Sequence, residues 1–153
     1  MYYDKNTMQL IHGTIYLGDI NDARDPNWCG DVISCLQDLP HGVPKRALWI
    51  PIIRTIGTLN EFELISDQDV DVVALRPQLD LVAREIQERF EKKVPTLVHC
   101  LGGFERSPLA VVYWLHKYHD FTYDGAYEHV QKIRPVVLNR LQWLNLTYDE
   151  HQS

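Results

Sequence analysis

The sequence predicts an α/β fold: one domain over residues 1–153 with a central, mostly parallel sheet flanked by helices. Three observations predict it. Compact apolar runs in the first half of the chain, and again just before Cys100, have the length of buried strands. Segments with apolar residues three to four positions apart have the period of helices packed on a core. Strands alternate first with loops and then with helices, the order that builds a largely parallel sheet covered by helices. A chain of 153 residues suits one core and contains no internal repeat or low-complexity stretch.

Each element follows from its local sequence. Leu10-Ile11 and Thr14-Ile15-Tyr16-Leu17-Gly18 read as a short strand pair around a His12-Gly13 turn. Asp19 to Asn27 is polar and suits a short helix or a loop. Asp31-Val32-Ile33-Ser34-Cys35-Leu36 reads as a buried strand, and the prolines and glycine of Gln37 to Lys45 as a loop. Ala47-Leu48-Trp49-Ile50-Pro51-Ile52-Ile53 reads as a second buried strand, bent or ended near Pro51. Arg54 to Val73 is long and acidic without a clear period, although Phe62-Glu63-Leu64-Ile65 suits an extended segment; a connection of this length is usually functional or mobile. Leu79, Leu81, Val82, Ile86 and Phe90 mark a helix from Pro77 to Lys92, with Pro77 in its first turn. Thr96-Leu97-Val98-His99 is a strand, and Ser107-Pro108 opens a helix carrying Leu109, Val111, Val112, Trp114 and Leu115. Two more helices are expected, about Thr122 to Ile133 and Asn139 to Asp149, separated by the Pro135 break.

Composition removes several classes of function. Hydrophobic residues make up 45% and charged residues 24%, the balance of a soluble globular protein. No stretch approaches the roughly 18 to 20 apolar residues that span a bilayer. Met1 to Lys5 lack the basic start and apolar run of a secretory signal, so a cytoplasmic location is expected. Three scattered cysteines, Cys29, Cys35 and Cys100, are too few for a disulfide framework. With no C-x-x-C pair and seven histidines at no ligand spacing, neither a metal nor another cofactor is expected. The net charge of −6 and the lack of a basic stripe speak against nucleic acid. No membrane partner is expected either, and the chain is expected to act as a monomer.

The informative stretch is Val98-His99-Cys100-Leu101-Gly102-Gly103-Phe104-Glu105-Arg106-Ser107-Pro108. A strand carries Cys100 to the carboxyl end of the sheet, where ligands bind in open α/β folds. The loop then enters a helix N-terminus, whose unpaired N–H groups and dipole favour an anion. Gly102 and Gly103 free the backbone to turn its N–H groups inward around a tetrahedral dianion. Arg106 offers a planar fork for two of its oxygens. The same surroundings favour the Cys100 thiolate, the form that acts as nucleophile. Ser107 is placed to donate a hydrogen bond to that sulfur. His99 is read as orienting the loop by hydrogen bonds.

The run His99-Cys100, five residues, then Arg106-Ser107 resembles the H-C-x5-R-[ST] signature of the protein tyrosine phosphatase superfamily. Ile15-Tyr16-Leu17-Gly18-Asp19 resembles the N-terminal strand of its small, atypical dual-specificity branch. Arg134-Pro135, 28 residues after Arg106, resembles that branch's C-terminal helix-breaking motif. The resemblance implies a cysteine-dependent phosphatase fold and hydrolysis of phosphomonoesters without metal. It implies Cys100 as nucleophile, Arg106 as phosphoryl ligand and Ser107 as the hydroxyl that assists breakdown of a phospho-cysteine. Leu101, Gly102, Gly103, Phe104 and Glu105 with Arg106 would line the substrate's phosphoryl group. The expected substrate is a phosphorylated protein, on tyrosine and/or serine and threonine, or a small phosphomonoester.

The resemblance also implies an aspartate that protonates the leaving oxygen. The residue directly after the Trp49 to Ile53 run is Arg54, which cannot serve. Asp69 fits best counting back from Leu79; Asp67 fits if Phe62 to Ile65 is a strand, and Asp71 lies in the same interval. Glu105 is a further candidate, although an ion pair or a helix-start carboxylate is its ordinary role. Cys35, Trp49, Trp114 and Trp143 are read as core, Trp28 as partly exposed, and Cys29 as incidental. Two other functions stay open beside the protein phosphatase. One is a phosphate-binding pseudophosphatase. The other is a phosphatase of RNA 5′-triphosphate, phosphoinositide or phosphoglucan, against which stands the lack of any basic residue from Leu101 to Glu105.

Overall fold

The computed structural model describes residues 8–38, 42–56 and 71–153. β1 (Gln9–His12) and β2 (Ile15–Gly18) form an antiparallel hairpin, and α1 (Ile20–Arg24) follows. β3 (Asp31–Ser34) and β4 (Leu48–Trp49) precede β5 (Ile53–Ile56) and β6 (Asp71–Ala74). α2 (Arg76–Glu91), β7 (Thr96–His99), α3 (Arg106–Tyr118) and α4 (Tyr123–Ile133) alternate from there. A 3₁₀ turn at Leu141–Leu144 and α5 (Tyr148–Gln152) complete the described residues. The main sheet has the order β1-β2-β7-β3-β4, in which β2, β7, β3 and β4 run parallel and β1 alone is antiparallel. The mostly parallel sheet flanked by helices is therefore the architecture observed.

Strand alternation divides the apolar residues between two faces. Ile33 and Val98 turn toward a large core formed with Leu79, Val82, Ala83 and Ile86 of α2 and Leu109, Val111, Val112, Trp114 and Leu115 of α3. Val32 and Leu97 turn the other way, onto Ile20 and Ala23 of α1. Each fully buried Leu, Ile or Val contributes about 1.5–3 kcal/mol. Covering both faces leaves β7, the middle strand, buried at every residue, so the end of β7 is a fixed platform.

Three expectations change. The run from Ala47 to Ile53 is not one strand. Its pairing with β3 ends where Ile50 donates to the Ser34 carbonyl at 2.8 Å, and Pro51, whose ring fixes φ, follows at once. Ile53–Ile56 instead pairs with Asp71–Ala74 in a separate two-stranded sheet. Trp49 is not core but 45% exposed, since β4 is the edge strand; its indole donates to the Leu36 carbonyl at 2.7 Å. Finally, no continuous helix covers 139–149. Asn145, at φ 50° and ψ 51°, ends the 3₁₀ turn in the left-handed region, and Thr147 with Glu150 forms a capping box that starts α5 afresh. Trp114, Trp143 and Cys35 are buried as expected, and Cys29 is exposed. The extended segment expected at Phe62 to Ile65 lies outside the described residues.

Candidate active site

Cys100 follows β7 directly, between the parallel neighbours β2 and β3, at the carboxyl end of the sheet. It is 2% exposed, and the loop from Leu101 to Glu105 leads from it to the first turn of α3. Gly103 sits at φ 70°, and a Cβ there would come within 2.6 Å of the Gly18 carbonyl oxygen, so a larger residue meets both strain and backbone. Gly102 is tight for a different reason: a Cβ would meet the Phe104 ring at 2.6 Å. The turn that the glycines permit aims the Gly103 and Ser107 N–H groups at the Cys100 sulfur.

The electrostatics favour the thiolate. Burial acts to raise the Cys100 thiol, but the Arg106 guanidinium, the Ser107 hydroxyl and amide, and the Gly103 amide together hold it below the ordinary thiol value. The Ser107 hydroxyl donates to the sulfur at 3.2 Å. Neighbouring Cys35 shows the contrast. Burial dominates there, and with the Cys100 charge it pushes that thiol up in spite of Arg106. The same type of side chain is thus held as an inert thiol one strand away from an activated one.

His99 is fully buried and burial lowers its ring to about 4, so it is neutral at ordinary pH. Its Nδ1 lies 2.9 Å from the Cys100 carbonyl, the contact of an N–H donor. The ring thus fixes the peptide that follows the nucleophile. Glu105 accepts from Arg140 Nε at 2.9 Å and Nη2 at 2.6 Å and is 5% exposed. Its carboxylate is therefore an ion-pair member at the base of α3, the ordinary role weighed for it. Asp69 and Asp67 lie outside the described residues. Asp71 opens β6 by pairing with Ile56. Cys100, Leu101, Gly102, Gly103, Phe104, Glu105, Arg106 and Ser107 are brought together as one turn. Among the described residues no group of three His, Cys, Asp or Glu side chains could hold a metal ion, and no helix is long and apolar enough to cross a membrane.

Two residues that touch the loop were not anticipated. Arg140 is the partner of Glu105, and Arg134 donates to the carbonyls of Gly102 and Gly103. Arg134 stood out in the sequence only as the residue before Pro135; a signal that marks it further is its place at the end of an amphipathic helix.

Comparison with known proteins agrees with this geometry. Residues 32–151 match the family model described as dual specificity phosphatase, catalytic domain. Dual specificity protein phosphatase 14 of Mus musculus is 32% identical over 93 residues, covering 60% of this chain and 47% of that protein. The chain thus spans about half the length of that relative. Dual specificity protein phosphatase 1 of Arabidopsis thaliana is 25% identical over 158 residues, covering 99% of this chain and 73% of the relative. Among solved structures, human DUSP28 superposes with a TM-score of 0.68 at 15% identity, over 95% of this chain and 90% of that one. PTPMT1 in complex with PI(5)P superposes with a TM-score of 0.65 at 15% identity, over 96% of each chain. At such identities these superpositions speak for the fold. The family match covers most of the chain, and with it the strand, loop and helix that carry Cys100: the chain belongs to the dual specificity phosphatase catalytic-domain family.

Proposed function

We propose that the chain is a cysteine-dependent phosphomonoester hydrolase that acts on phosphorylated proteins, at phosphotyrosine and/or phosphoserine and phosphothreonine. The observation that carries this reading is the Cys100 thiol, held low beside Arg106 and accepting from the Ser107 hydroxyl at 3.2 Å. In the first step the thiolate attacks phosphorus in line with the leaving oxygen. The P–O bond breaks toward that oxygen, which takes its proton from an aspartate, with Asp69 favoured over Asp67 and Asp71. Arg106 and the amides of the loop balance the charge spread over the equatorial oxygens. In the second step the aspartate, now a carboxylate, removes a proton from water. The water attacks the phospho-cysteine, and sulfur departs as a thiolate stabilised by Ser107. Inorganic phosphate is the product.

Substrate charge favours the protein reading over the highly charged alternatives. The loop from Leu101 to Glu105 has no basic side chain, and Arg140 is engaged by Glu105. A small phosphomonoester fits the same demand for one dianion. A pure phosphate-binding role is disfavoured, since binding alone does not call for an activated sulfur. We further read residues 1–153 as one catalytic unit, monomeric, independent of nucleic acid and membrane, and cytoplasmic. The location is supported by the need of a thiolate nucleophile for a reducing compartment.

The test is hydrolysis of para-nitrophenyl phosphate with EDTA present, wild type beside Cys100→Ser. Turnover in the wild type alone is expected. Equal turnover in a folded Cys100→Ser would overturn the mechanism.

A further inference from the structure

Four consecutive carbonyls of the loop, from Leu101 to Phe104, all accept hydrogen bonds from groups outside it. The Leu101 carbonyl accepts from the Ile20 N–H of α1 at 2.9 Å, and the Phe104 carbonyl from the Leu138 N–H at 2.8 Å. Between them, Arg134 Nη2 donates to Gly102 at 2.9 Å and Arg134 Nε donates to Gly103 at 3.0 Å. Arg134 and Leu138 belong to the one segment that follows α4, so that segment makes three of these four bonds.

The consequence follows from peptide planarity. Across a trans peptide the C=O of one residue and the N–H of the next point in opposite directions. Holding the carbonyls of residues 101–104 outward therefore turns the amides of Gly102, Gly103, Phe104 and Glu105 to the other side. One of these, Gly103 N–H, is aimed at the Cys100 sulfur. The two carbonyls held by Arg134 belong to the glycines, whose backbone has the most freedom to turn. The fork of a guanidinium reaches two adjacent acceptors at once, which a lysine ammonium on a flexible stem does not match.

On the reading of the site given above, we propose that Arg134 is a positioning residue for the phosphoryl cradle: it fixes the peptides that follow Gly102 and Gly103, so that the Gly103 and Phe104 amides face the anion before it arrives. The charge is supported where it lies. Arg134 is 4% exposed, and its burial is opposed by the carboxylates of Asp19 and Asp22 and by the Cys100 thiolate. Its Nη1 donates to Gln9 Oε1 at 2.6 Å, anchoring the side chain to β1. The fork is thus held at the hairpin and at the loop.

The experiment compares wild type with Arg134→Lys and Arg134→Met. Alkylation of Cys100 by iodoacetamide is followed across pH by peptide mass, so that exposed Cys29 does not confuse it, and inorganic phosphate is added as a protecting anion. In folded variants the pH midpoint of Cys100 alkylation is expected to rise by about one unit, and phosphate protection to weaken about tenfold, the scale of one hydrogen bond. Arg134→Lys should fall between wild type and Arg134→Met. A purely structural role would lower the melting temperature and leave both readouts unchanged in the folded protein. Folded variants with the wild-type midpoint and wild-type protection would overturn the proposal. If neither variant folds, Gln9→Leu loosens the same guanidinium while keeping its charge. A smaller shift in the same directions is then expected, and unchanged values would overturn the proposal. Both readouts are independent of turnover. A wild type that is protected by phosphate but inert toward para-nitrophenyl phosphate would count against the phosphatase reading and leave the role of Arg134 to be decided by these values.

Discussion

Replacing Arg140 by methionine tests what Glu105 does. Both nitrogens of Arg140 that reach Glu105 bind the same oxygen, Oε1, at 2.9 and 2.6 Å, and the side chains are only 14% and 6% exposed. Arg140→Met leaves that carboxylate buried beside a loop built for an anion. Removing one member of a buried pair costs about 3–5 kcal/mol, and Arg140 lies near enough to solvent that the lower end applies. For a chain of this size, about 3 kcal/mol corresponds to a melting temperature lowered by roughly 6–12 °C. Glu105→Gln in the same background removes the carboxylate charge, so Arg140→Met/Glu105→Gln should regain most of the loss, with a coupling of about 1.5–3 kcal/mol. Urea denaturation of the four proteins, followed by circular dichroism, measures this. An Arg140→Met within about 0.5 kcal/mol of wild type, or a double variant no more stable than Arg140→Met, would refute the ion-pair role. Activity separates the two roles of Glu105. A general acid is worth about 100- to 10,000-fold, so Glu105→Gln should stay within about tenfold of wild-type turnover if the residue is an ion-pair member.

Other predictions concern the nucleophile and its neighbours. Ser107→Ala removes a hydrogen bond to a charged sulfur, worth about 1.5–3 kcal/mol. It should raise the Cys100 midpoint by about one to two pH units, read from the pH dependence of alkylation; an unchanged midpoint would contradict the 3.2 Å contact. Asp69→Asn should lower turnover of para-nitrophenyl phosphate about 100-fold or more near neutral pH. Normal turnover would pass the role to Asp67, tested in the same way. By NMR titration the His99 ring should stay neutral until about pH 4, and titration near 6.5 would contradict its burial. The sign follows: between about 6.5 and 4 the unfolded ring binds a proton that the folded ring does not. Stability from this group is therefore present above about 6.5 and lost as the pH falls. Asp19, raised to about 6 chiefly by burial, acts in the opposite sense over the lower part of that range.

The nucleophile loop was legible in the sequence because its chemistry is local. A strand, Cys100, two glycines, Arg106 and a helix start are contiguous, and their spacing alone places sulfur, amides and guanidinium around one anion. Helices α2 and α3 were legible for a related reason, since burying one side against a sheet imposes a period. What escaped depends on distant partners. Trp49 is apolar in an apolar run, and only the strand order puts it on the sheet's edge. Asn145 breaks the last helix through a left-handed backbone that its neighbours do not announce. Arg134 and Arg140 meet the loop from 31 and 35 residues away, respectively, contacts that no local pattern encodes. Pro51 was legible as a strand terminator, but that Ile53 would pair with Ala74 in another sheet was not.

The most direct test of the account is to mix the protein with para-nitrophenyl phosphate, quench with denaturant at alkaline pH within the first turnovers, and locate phosphate by peptide mass spectrometry. The account predicts an alkali-stable, acid-labile phosphate adduct on the peptide containing Cys100, enriched in Asp69→Asn and missing from Cys100→Ser. Steady turnover with no adduct on that peptide in either active protein, or with the adduct on another residue, would contradict it.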